Sequence, residues 1–363
     1  MTRLRDLALD ALQTALRLVP WSTDTGLRSV GDPGPGSPVL VTGNYALTVR
    51  RLLRALAGAD AWVVVAPSRG INVWCAASGG ILTTHQVVTA LKTSGVEERV
   101  SHRRAILPQL AATGVSAREL SRRSGWKARF GPVYAADIPR YLAGGASKTD
   151  EMRRVHFGAV ERLEMATSWA APTALVLALG AALLRPAWSL PLAALAVILA
   201  VAVFGVYDRI PGPRRALLAA GALLASGLAV WLSGGGAAAH VAAAVASVAL
   251  VGLLTFDYSG STPIEGGSHF ESRLWQITLD RERCVGVFSC WEVCPEACFE
   301  KRSDVRKVDL SHAERCVQCG ACIVQCPEDA LYFTDDAGRS IDPQVIRRYK
   351  LNLLGKRGVD TGA

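Results

Sequence analysis

The cysteines near the C-terminal end of the chain have the spacing of iron–sulfur ligands. Cys316, Cys319 and Cys322 follow one another at intervals of three residues, and Cys326 comes next, directly before Pro327. Three thiolates at this spacing wrap one turn of backbone around a corner of a cubane cluster, and the fourth cysteine ligates a second cluster. Cysteines that only pack in a core need no such interval. The pattern predicts that electrons pass through this part of the molecule.

The preceding half of the motif is altered, because Val287 stands where a regular motif has its second cysteine. Two-cluster ferredoxins exchange their fourth ligands between the two halves. The exchange gives one set of four cysteines and one set of three, namely Cys294, Cys316, Cys319 and Cys322, and then Cys284, Cys290 and Cys326. The first set is complete for a [4Fe–4S] cluster. The second suits a [3Fe–4S] cluster, or an atypical [4Fe–4S] cluster with a non-cysteine ligand.

Cys298 has two interpretations, and we count it among the candidate metal ligands. The run from Cys294 to Phe299 resembles seven-iron ferredoxins, in which the corresponding cysteine is a free thiol beside the complete cluster. The alternative is that Cys298 supplies the ligand missing at Val287.

The ninth cysteine, Cys75, stands alone and is followed by the small residues Ala76 to Gly80. A free cysteine can act as a soft metal ligand or as a nucleophile. Small side chains let a large flat group approach the backbone closely. From spacing alone, a cysteine packed as a small hydrophobe is the more frequent case. The clustering of the other eight favours metal binding in a reducing compartment over disulfides.

The middle of the chain predicts four membrane-spanning helices. Residues 165–184 and 187–207 are each long and apolar enough to cross a bilayer. Residues 216–256 lack Asp, Glu, Lys and Arg and are interrupted at 233–236, which predicts a helical hairpin. The connection 208–215 carries three arginines, so we expect it, and both ends of the chain, on the cytoplasmic side of the inner membrane. The net charge of +9 then reflects membrane-flanking residues, and no nucleic-acid partner is expected.

Residues 37–160 alternate strand-like and helix-like patterns. The runs 38–42 and 61–66 are short and continuously apolar, as in strands buried on both faces of a parallel sheet. Residues 47–56 have helical periodicity, and Thr83 or Thr84 can cap a helix that runs to about Leu91. These patterns predict an α/β domain with a parallel sheet. The glycines at 34 and 36 precede a strand, so they do not form a dinucleotide fingerprint.

Segments 39–48 and 70–77 resemble the corrinoid-binding domain of the corrinoid iron–sulfur protein of acetyl-CoA synthesis. With segments 100–110 and 130–139, the chain is similar to the mercury-methylating corrinoid proteins, whose soluble domain precedes a transmembrane domain and works beside a separate two-cluster ferredoxin. The resemblance implies a Rossmann-like α/β corrinoid-binding domain, a four-helix transmembrane domain and a bacterial-type α+β ferredoxin domain.

The resemblance also implies six segments with separate roles. They are an N-terminal amphipathic segment at 1–36, the corrinoid-binding domain at 37–164, four transmembrane helices at 165–257, a linker at 258–280, the ferredoxin domain at 281–340 and a tail at 341–363.

By the same resemblance, a corrinoid binds base-off, with Cys75 as the lower cobalt ligand and the catalytic residue on a cap helix that starts at Asn72. The residues implied to contact the corrinoid are Thr42, Gly43, Asn44, Asn72, Trp74, Ala76, Ala77, Ser101, His102 and Gly131.

The function implied is membrane-bound methyl transfer. The ferredoxin domain, supplied by an electron donor, reduces cobalt to Co(I), which takes a methyl group from a methyl-folate or a donor protein and passes it to an acceptor, Hg(II) in the family. The partner that accepts the methyl group would be a small soft metal or another acceptor. Two departures weaken the case for mercury: Ser78 and Gly79 replace the Gly-Lys of the family, and residues 352–363 contain no cysteine pair. The alternatives are an electron-transfer or sensing protein, or a methyl carrier for a larger complex.

Overall fold

The computed structural model of the chain describes residues 2–256, 258 and 275–349. It divides into two compact units, the first formed by the residues up to 19 together with those from 156 to 258, and the second by residues 20–155 together with those from 275 onward. The chain begins with helix α1 (Thr2–Ala15), in the first unit. Its exposed Leu4, Leu7 and Leu12 alternate with charged residues, which agrees with the predicted amphipathic helix.

A five-stranded sheet forms the centre of the second unit. Its strands are β1 (Gly26–Val30), β2 (Val39–Gly43), β3 (Ala61–Ala66), β4 (Arg104–Leu107) and β5 (Lys127–Phe130). The spatial order is β1-β3-β2-β4-β5, with β2 to β5 parallel and β1 antiparallel to β3. Every residue of β2 is buried, and so is all of β3 except Trp62, as the continuous apolar runs require. The mixed α/β prediction is therefore confirmed.

Strand β1 lies before residue 37, which is the predicted start of this domain. It is a short edge strand with a partly exposed side-chain pattern, so its sequence carries little of the apolar signal that reveals β2 and β3.

Helices cover the sheet on both faces. They are α2 (Ala46–Ala55), α3 (Val73–Ser78), α4 (Thr84–Thr93), α5 (Ala117–Ser124) and α6 (Ile138–Ala143). Helix α2 buries Leu47, Val49 and Leu52, as its periodicity predicts. Thr83 caps α4, since its hydroxyl accepts the N–H of His85 at 3.3 Å.

The first unit contains four helices that are long and apolar enough to cross a membrane. They are α7 (Ala159–Leu184), α8 (Ser189–Val206), α9 (Arg214–Leu232) and α10 (Ala237–Leu254). Helix α7 begins before the predicted 165 because Glu161, which interrupts the apolar run, caps its first turn by accepting the Gly158 N–H. Many large apolar side chains of these helices are exposed in the unit, which suits contact with lipid.

The C-terminal part of the second unit has two similar halves. Its elements are β6 (Gln276–Leu279), α11 (Ser289–Val293), β7 (Phe299–Lys301), β8 (Val308–Leu310), α12 (Ala321–Gln325), β9 (Leu331–Thr334), β10 (Ser340–Ile341) and α13 (Pro343–Tyr349). Strand β6 precedes the predicted start of this domain at 281 and pairs with β9. The predicted linker lies mostly outside the described residues, as does the tail beyond 349.

Candidate functional site

Cys75 lies on α3, which follows β3 near the carboxyl edge of the parallel sheet. Asn72 caps this helix, and its Oδ1 accepts the Cys75 N–H at 2.9 Å. The Nδ2 of the same amide donates to Cys75 Sγ at 3.3 Å. This donor holds the sulfur in one direction. The Cys75 side chain is only partly buried, so its sulfur is accessible to a ligand.

The loop that carries α3 is fixed by Asn44, which follows β2. Asn44 Oδ1 accepts the N–H of Ser68 at 2.8 Å, the hydroxyl of Ser68 at 3.1 Å and the N–H of Gly70 at 3.0 Å. Its Nδ2 donates to Thr23 O at 3.1 Å. Since these bonds engage the whole amide, the predicted corrinoid contact at Asn44 is better described as a support of the Cys75 loop. Ser68 was missed in the sequence, where a lone serine gives no signal.

The first two small residues after Cys75 pack inside the protein. Ala76 and Ala77 are fully buried, and Trp74 is 8% exposed. A Cβ added to Gly114 would lie 2.7 Å from Ala77 O and 2.9 Å from Ala77 Cα, so two backbone segments meet here without side chains between them. Gly79 and Gly80, which follow, are exposed, so the expected space for a flat ligand beside the small residues stays a prediction.

Three further predicted residues lie at the carboxyl edge of the sheet. Thr42 and Gly43 end β2, and Gly131 follows β5. The Thr42 hydroxyl is buried and has no hydrogen-bond partner among the described residues. A buried unpaired hydroxyl is costly, so a ligand group that paired with it would be stabilised. A Cβ on Gly43 would lie 2.7 Å from Ser68 Oγ, so Gly43 permits the close approach of the Cys75 loop.

Ser101 and His102 do not join this group in the structure. Both precede β4, at the amino edge of a sheet whose strands β2 and β4 run parallel. Their partners lie before β2: Ser101 donates to Pro35 O at 3.2 Å, and His102 Nε2 lies 3.0 Å from Ser37 O. The length of the strands separates them from Cys75.

The four cysteines predicted to hold one cluster line a single small cavity. Cys294, Cys316, Cys319, Cys322 and the additional Cys298 form its sulfur lining. In the described part of the chain, no three His, Cys, Asp or Glu side chains converge closely enough for a single metal ion. Thiolates placed around a cavity instead fit the several irons of a cluster. We call this the four-cysteine site.

A second small cavity is lined by Cys284, Cys290 and Cys326, the predicted set of three. Val287 lines the same cavity, at the position where a regular motif has a cysteine. Glu328 has the only carboxylate among the lining residues. Apart from Glu328, the lining residues carry no strong non-cysteine ligand. We call this the three-cysteine site.

Cys298 belongs to the four-cysteine site and is absent from the lining of the three-cysteine site. Its position therefore disagrees with the interpretation that it supplies the ligand missing at Val287. Its backbone N–H donates to Cys294 Sγ at 3.3 Å. The hydrogen bond from the Cys298 side chain lowers the pKa of Cys294 to about 7, and the pKa of Cys298 itself is raised. Cys298 is thus placed as a protonated thiol beside a ligand sulfur.

Burial raises the pKa of the Cys290 thiol to about 12 and raises the pKa values of Cys319 and Cys322 as well. In the metal-free chain these thiols stay protonated at neutral pH. Iron binding requires thiolates, so loading either site must release protons to solvent.

Two parts of the chain match known protein families. Residues 10–142 match the family described as CO dehydrogenase/acetyl-CoA synthase delta subunit. Residues 312–332 match the 4Fe-4S binding domain.

Similar curated proteins are gamma subunits of acetyl-CoA decarbonylase/synthase complexes. The Archaeoglobus fulgidus protein is 34% identical over 125 residues, which cover 34% of this chain and 26% of that protein. The Methanopyrus kandleri protein is 30% identical over 125 residues, covering 34% and 27%. The Methanothermobacter thermautotrophicus protein is 34% identical over 131 residues, covering 36% and 28%. The chain thus spans about a quarter of the length of these relatives.

These likenesses support the coarser prediction of a corrinoid protein with an iron–sulfur domain. None of them is specific for mercury.

Proposed function

We propose that this chain is a membrane-bound corrinoid and iron–sulfur protein that carries out methyl transfer. The N-terminal α/β domain, extended to include β1, would hold the corrinoid, and the ferredoxin domain, extended to include β6, would hold the clusters. The lipid bilayer, an electron donor and a methyl donor are the partners that this proposal requires. The match over residues 10–142 supports the corrinoid part, and the match over 312–332 supports the iron–sulfur part.

One observation carries the proposal: a partly exposed cysteine sulfur beside the carboxyl edge of a parallel sheet, with an amide donor aimed at it. Ligands of open α/β sheets bind outside the carboxyl ends of the strands. Cys75 Sγ is available there, and Asn72 Nδ2 lies 3.3 Å from it. The unpaired hydroxyl of Thr42 lies at the same edge. These residues fit a corrinoid held by a cysteine thiolate.

When bound, the corrinoid supplies a cobalt centre that accepts a methyl group and gives it to an acceptor. The chain's own contribution would be the Cys75 sulfur as a ligand that holds the group. Asn72 holds that sulfur through one amide hydrogen bond and holds the helix through another. Asn44 and Ser68 tie the preceding loop by hydrogen bonds, which would restrict movement of the sulfur.

The test is anaerobic reconstitution of the purified chain with cobalamin, followed by visible spectroscopy. We expect base-off binding in the wild type and loss of the thiolate-dependent band in Cys75→Ala. Ser78→Ala, on the same helix, is the matched control, because its hydroxyl bonds only within α3, to the Trp74 and Cys75 carbonyls. His102→Ala should leave both binding and spectrum unchanged, since His102 lies at the opposite edge of the sheet. Identical spectra for wild type and Cys75→Ala would show that the ligand assignment is wrong.

The methyl acceptor requires a separate test. Hg(II) in a cell is held by thiols and moves by thiolate exchange. Of the nine cysteines, eight line the two cluster cavities, so Cys75 is the one thiol left outside them. Because Cys75 is committed to cobalt in this proposal, the chain offers no thiol pair that would capture mercury. We expect little methylmercury from the wild type in an anaerobic host. Robust formation that Cys75→Ala abolishes would establish Hg(II) as the acceptor.

A further inference from the structure

Gln325 on α12 is one of the side chains that join the ferredoxin part to the α/β part of the second unit. Its Nε2 donates to Ala112 O and to Val115 O, each at 2.8 Å. Its Oε1 accepts the N–H of Ala117 at 3.1 Å. Gln325 directly precedes Cys326 and follows Cys322 by three residues. A side chain inside the cluster motif is therefore engaged with the α/β part by both ends of its amide.

Apolar side chains also pack between the ferredoxin part and the α/β part. Ala321, at the start of α12, and Val293, at the end of α11, belong to the buried cluster that also contains Ala112 and Ala76. Cys319 packs against this cluster. The backbone at Gly114 lies directly against Ala77 on α3, as described above. Packed atoms therefore connect a ligand of the four-cysteine site with the helix that carries Cys75.

The cysteines of the three-cysteine site take no part in that cluster. Among the described residues of the second unit, the most exposed large apolar side chains are Val285, Val287 and Val305, each about half exposed. Two of these, Val285 and Val287, line the three-cysteine site. The two sites thus differ: Cys319 of the four-cysteine site packs against the buried cluster of the α/β part, whereas the three-cysteine site is lined by half-exposed valines and contacts the α/β part through Pro327 O, which accepts from Arg118 at 3.2 Å.

Further contacts fix the α11 side of the junction. Lys148 Nζ donates to Glu292 O at 2.7 Å and to Gln109 Oε1 at 2.9 Å. The Arg153 guanidinium lies 4.3 Å from the centre of the Trp291 ring, and the Val155 N–H donates to Pro295 O at 2.9 Å. Buried hydrogen-bonded and charged contacts of this kind restrict the junction to one arrangement.

We propose that the four-cysteine site is the direct one-electron donor to the Cys75 site, that the three-cysteine site receives electrons from outside, and that Gln325 is the residue that positions the donor. This inference rests on the proposed function. The four-cysteine cluster loses one electron as the corrinoid gains one, and an external low-potential reductant restores the cluster through the three-cysteine site. Electron transfer slows steeply as the separation grows, so opening the Gln325 contact slows the step.

The first measurement is hydrogen exchange on the full-length protein in detergent, with both clusters loaded and no corrinoid. Gln325→Glu keeps the shape of the side chain but places a carboxylate oxygen against the carbonyls of Ala112 and Val115. We expect the backbone amides of residues 109–118 to exchange at least tenfold faster. Gln86→Glu is the matched control, because a glutamate preserves the capping bond to the Thr83 N–H. Gln325→Leu serves if Gln325→Glu does not accumulate. Unchanged exchange would overturn the role of Gln325.

The second measurement is the electron-spin relaxation of the reduced four-cysteine cluster and of the oxidised three-cysteine cluster, before and after cobalamin with paramagnetic cobalt is added. In the wild type we expect added cobalt to increase the relaxation rate of the four-cysteine cluster more than that of the three-cysteine cluster. In Gln325→Glu we expect this difference between the two increases to be lost at unchanged iron content. Stronger relaxation at the three-cysteine cluster would overturn the proposed order. If the wild type bound no cobalamin while the exchange difference remained, the proposed function and the electron route would fail and the Gln325 contact would stand.

Discussion

Val287 decides what the three-cysteine site can hold. Its side chain lines the cavity beside Cys284 and Cys290 but offers no atom that binds iron. Cys298, the spare thiol, is 2% exposed and belongs to the other cavity. A cubane with one iron removed needs one ligand fewer, so the three thiolates match that cluster. Glu328 is the side chain that would serve if a fourth iron were retained.

We therefore expect about seven irons per chain, from four in one site and three in the other. The oxidised protein should show the isotropic EPR signal of a [3Fe–4S] cluster, near g of about 2. Val287→Cys restores the regular motif, so the iron content should rise to about eight and that signal should disappear. Val285→Cys, which adds a thiol to the same cavity outside the motif, is the control and should change neither.

Two results would contradict this assignment. Eight irons in the wild type that fall in Glu328→Ala would identify Glu328 as a ligand. A lower iron content in Cys298→Ala than in the wild type would identify Cys298 as the substitute ligand, against its position in the structure.

For individual residues, the sequence predicted which cysteines line the same cavity, because cluster ligands are spaced at short intervals and both halves of the motif keep such intervals. It could not predict that Asn44 supports the Cys75 loop, since its partners Ser68 and Gly70 are remote in sequence. It could not predict that His102 lies at the amino edge of the sheet, because the resemblance does not give the edge that a residue beside a strand occupies. Gln325 was missed because the cluster motif leaves the residues between cysteines unspecified.

Helices and strands were predictable where the apolar pattern is strong. Strands β2 and β3 and helices α2 and α4 lie within about two residues of their predicted positions. Strands β1 and β6 were missed because each is short and half exposed. Helix α7 starts earlier than predicted because a helix continues as long as its backbone bonds and caps permit, whether or not its residues are apolar.

The hairpin of α9 and α10 contains one polar contact between helices. Ser247 Oγ donates to Ser226 Oγ at 3.0 Å, and Ser247 is fully buried. Small residues let helices approach closely in lipid, and hydrogen bonds between them contribute modestly. We expect a double-mutant cycle of Ser226→Ala and Ser247→Ala to give a coupling free energy of about 0.6 kcal/mol in bilayer discs. Ser233→Ala is the control, because its hydroxyl bonds only within α9, to Val230 O. Zero coupling would show that each hydroxyl is satisfied within its own helix.

The whole chain has an unequal distribution of charge along its apolar helices. The connection between α8 and α9 and the first turn of α9 carry Arg209, Arg214 and Arg215, whereas the turn at 233–236 carries no charge. Arginine and lysine near helix ends are retained in the cytoplasm, so we expect the first of these connections to be cytoplasmic and the second external. Four crossings then return the chain to the side on which it started. Both soluble parts would thus share the compartment that keeps nine cysteines reduced.

This arrangement predicts the accessibility of two inserted epitopes. An epitope after Gly235 should be reached by antibody in intact spheroplasts of a bacterial host, whereas one after Gly212 should be reached only after the membrane is permeabilised. Replacing Arg209, Arg214 and Arg215 with alanine should weaken this preference, since it removes the charges that hold the connection inside. A reversed pattern would place Cys75 and the cluster cysteines on the oxidising side. Thiols bound to no metal would form disulfides there. The predicted topology would then be wrong, and the iron content of the protein would be low.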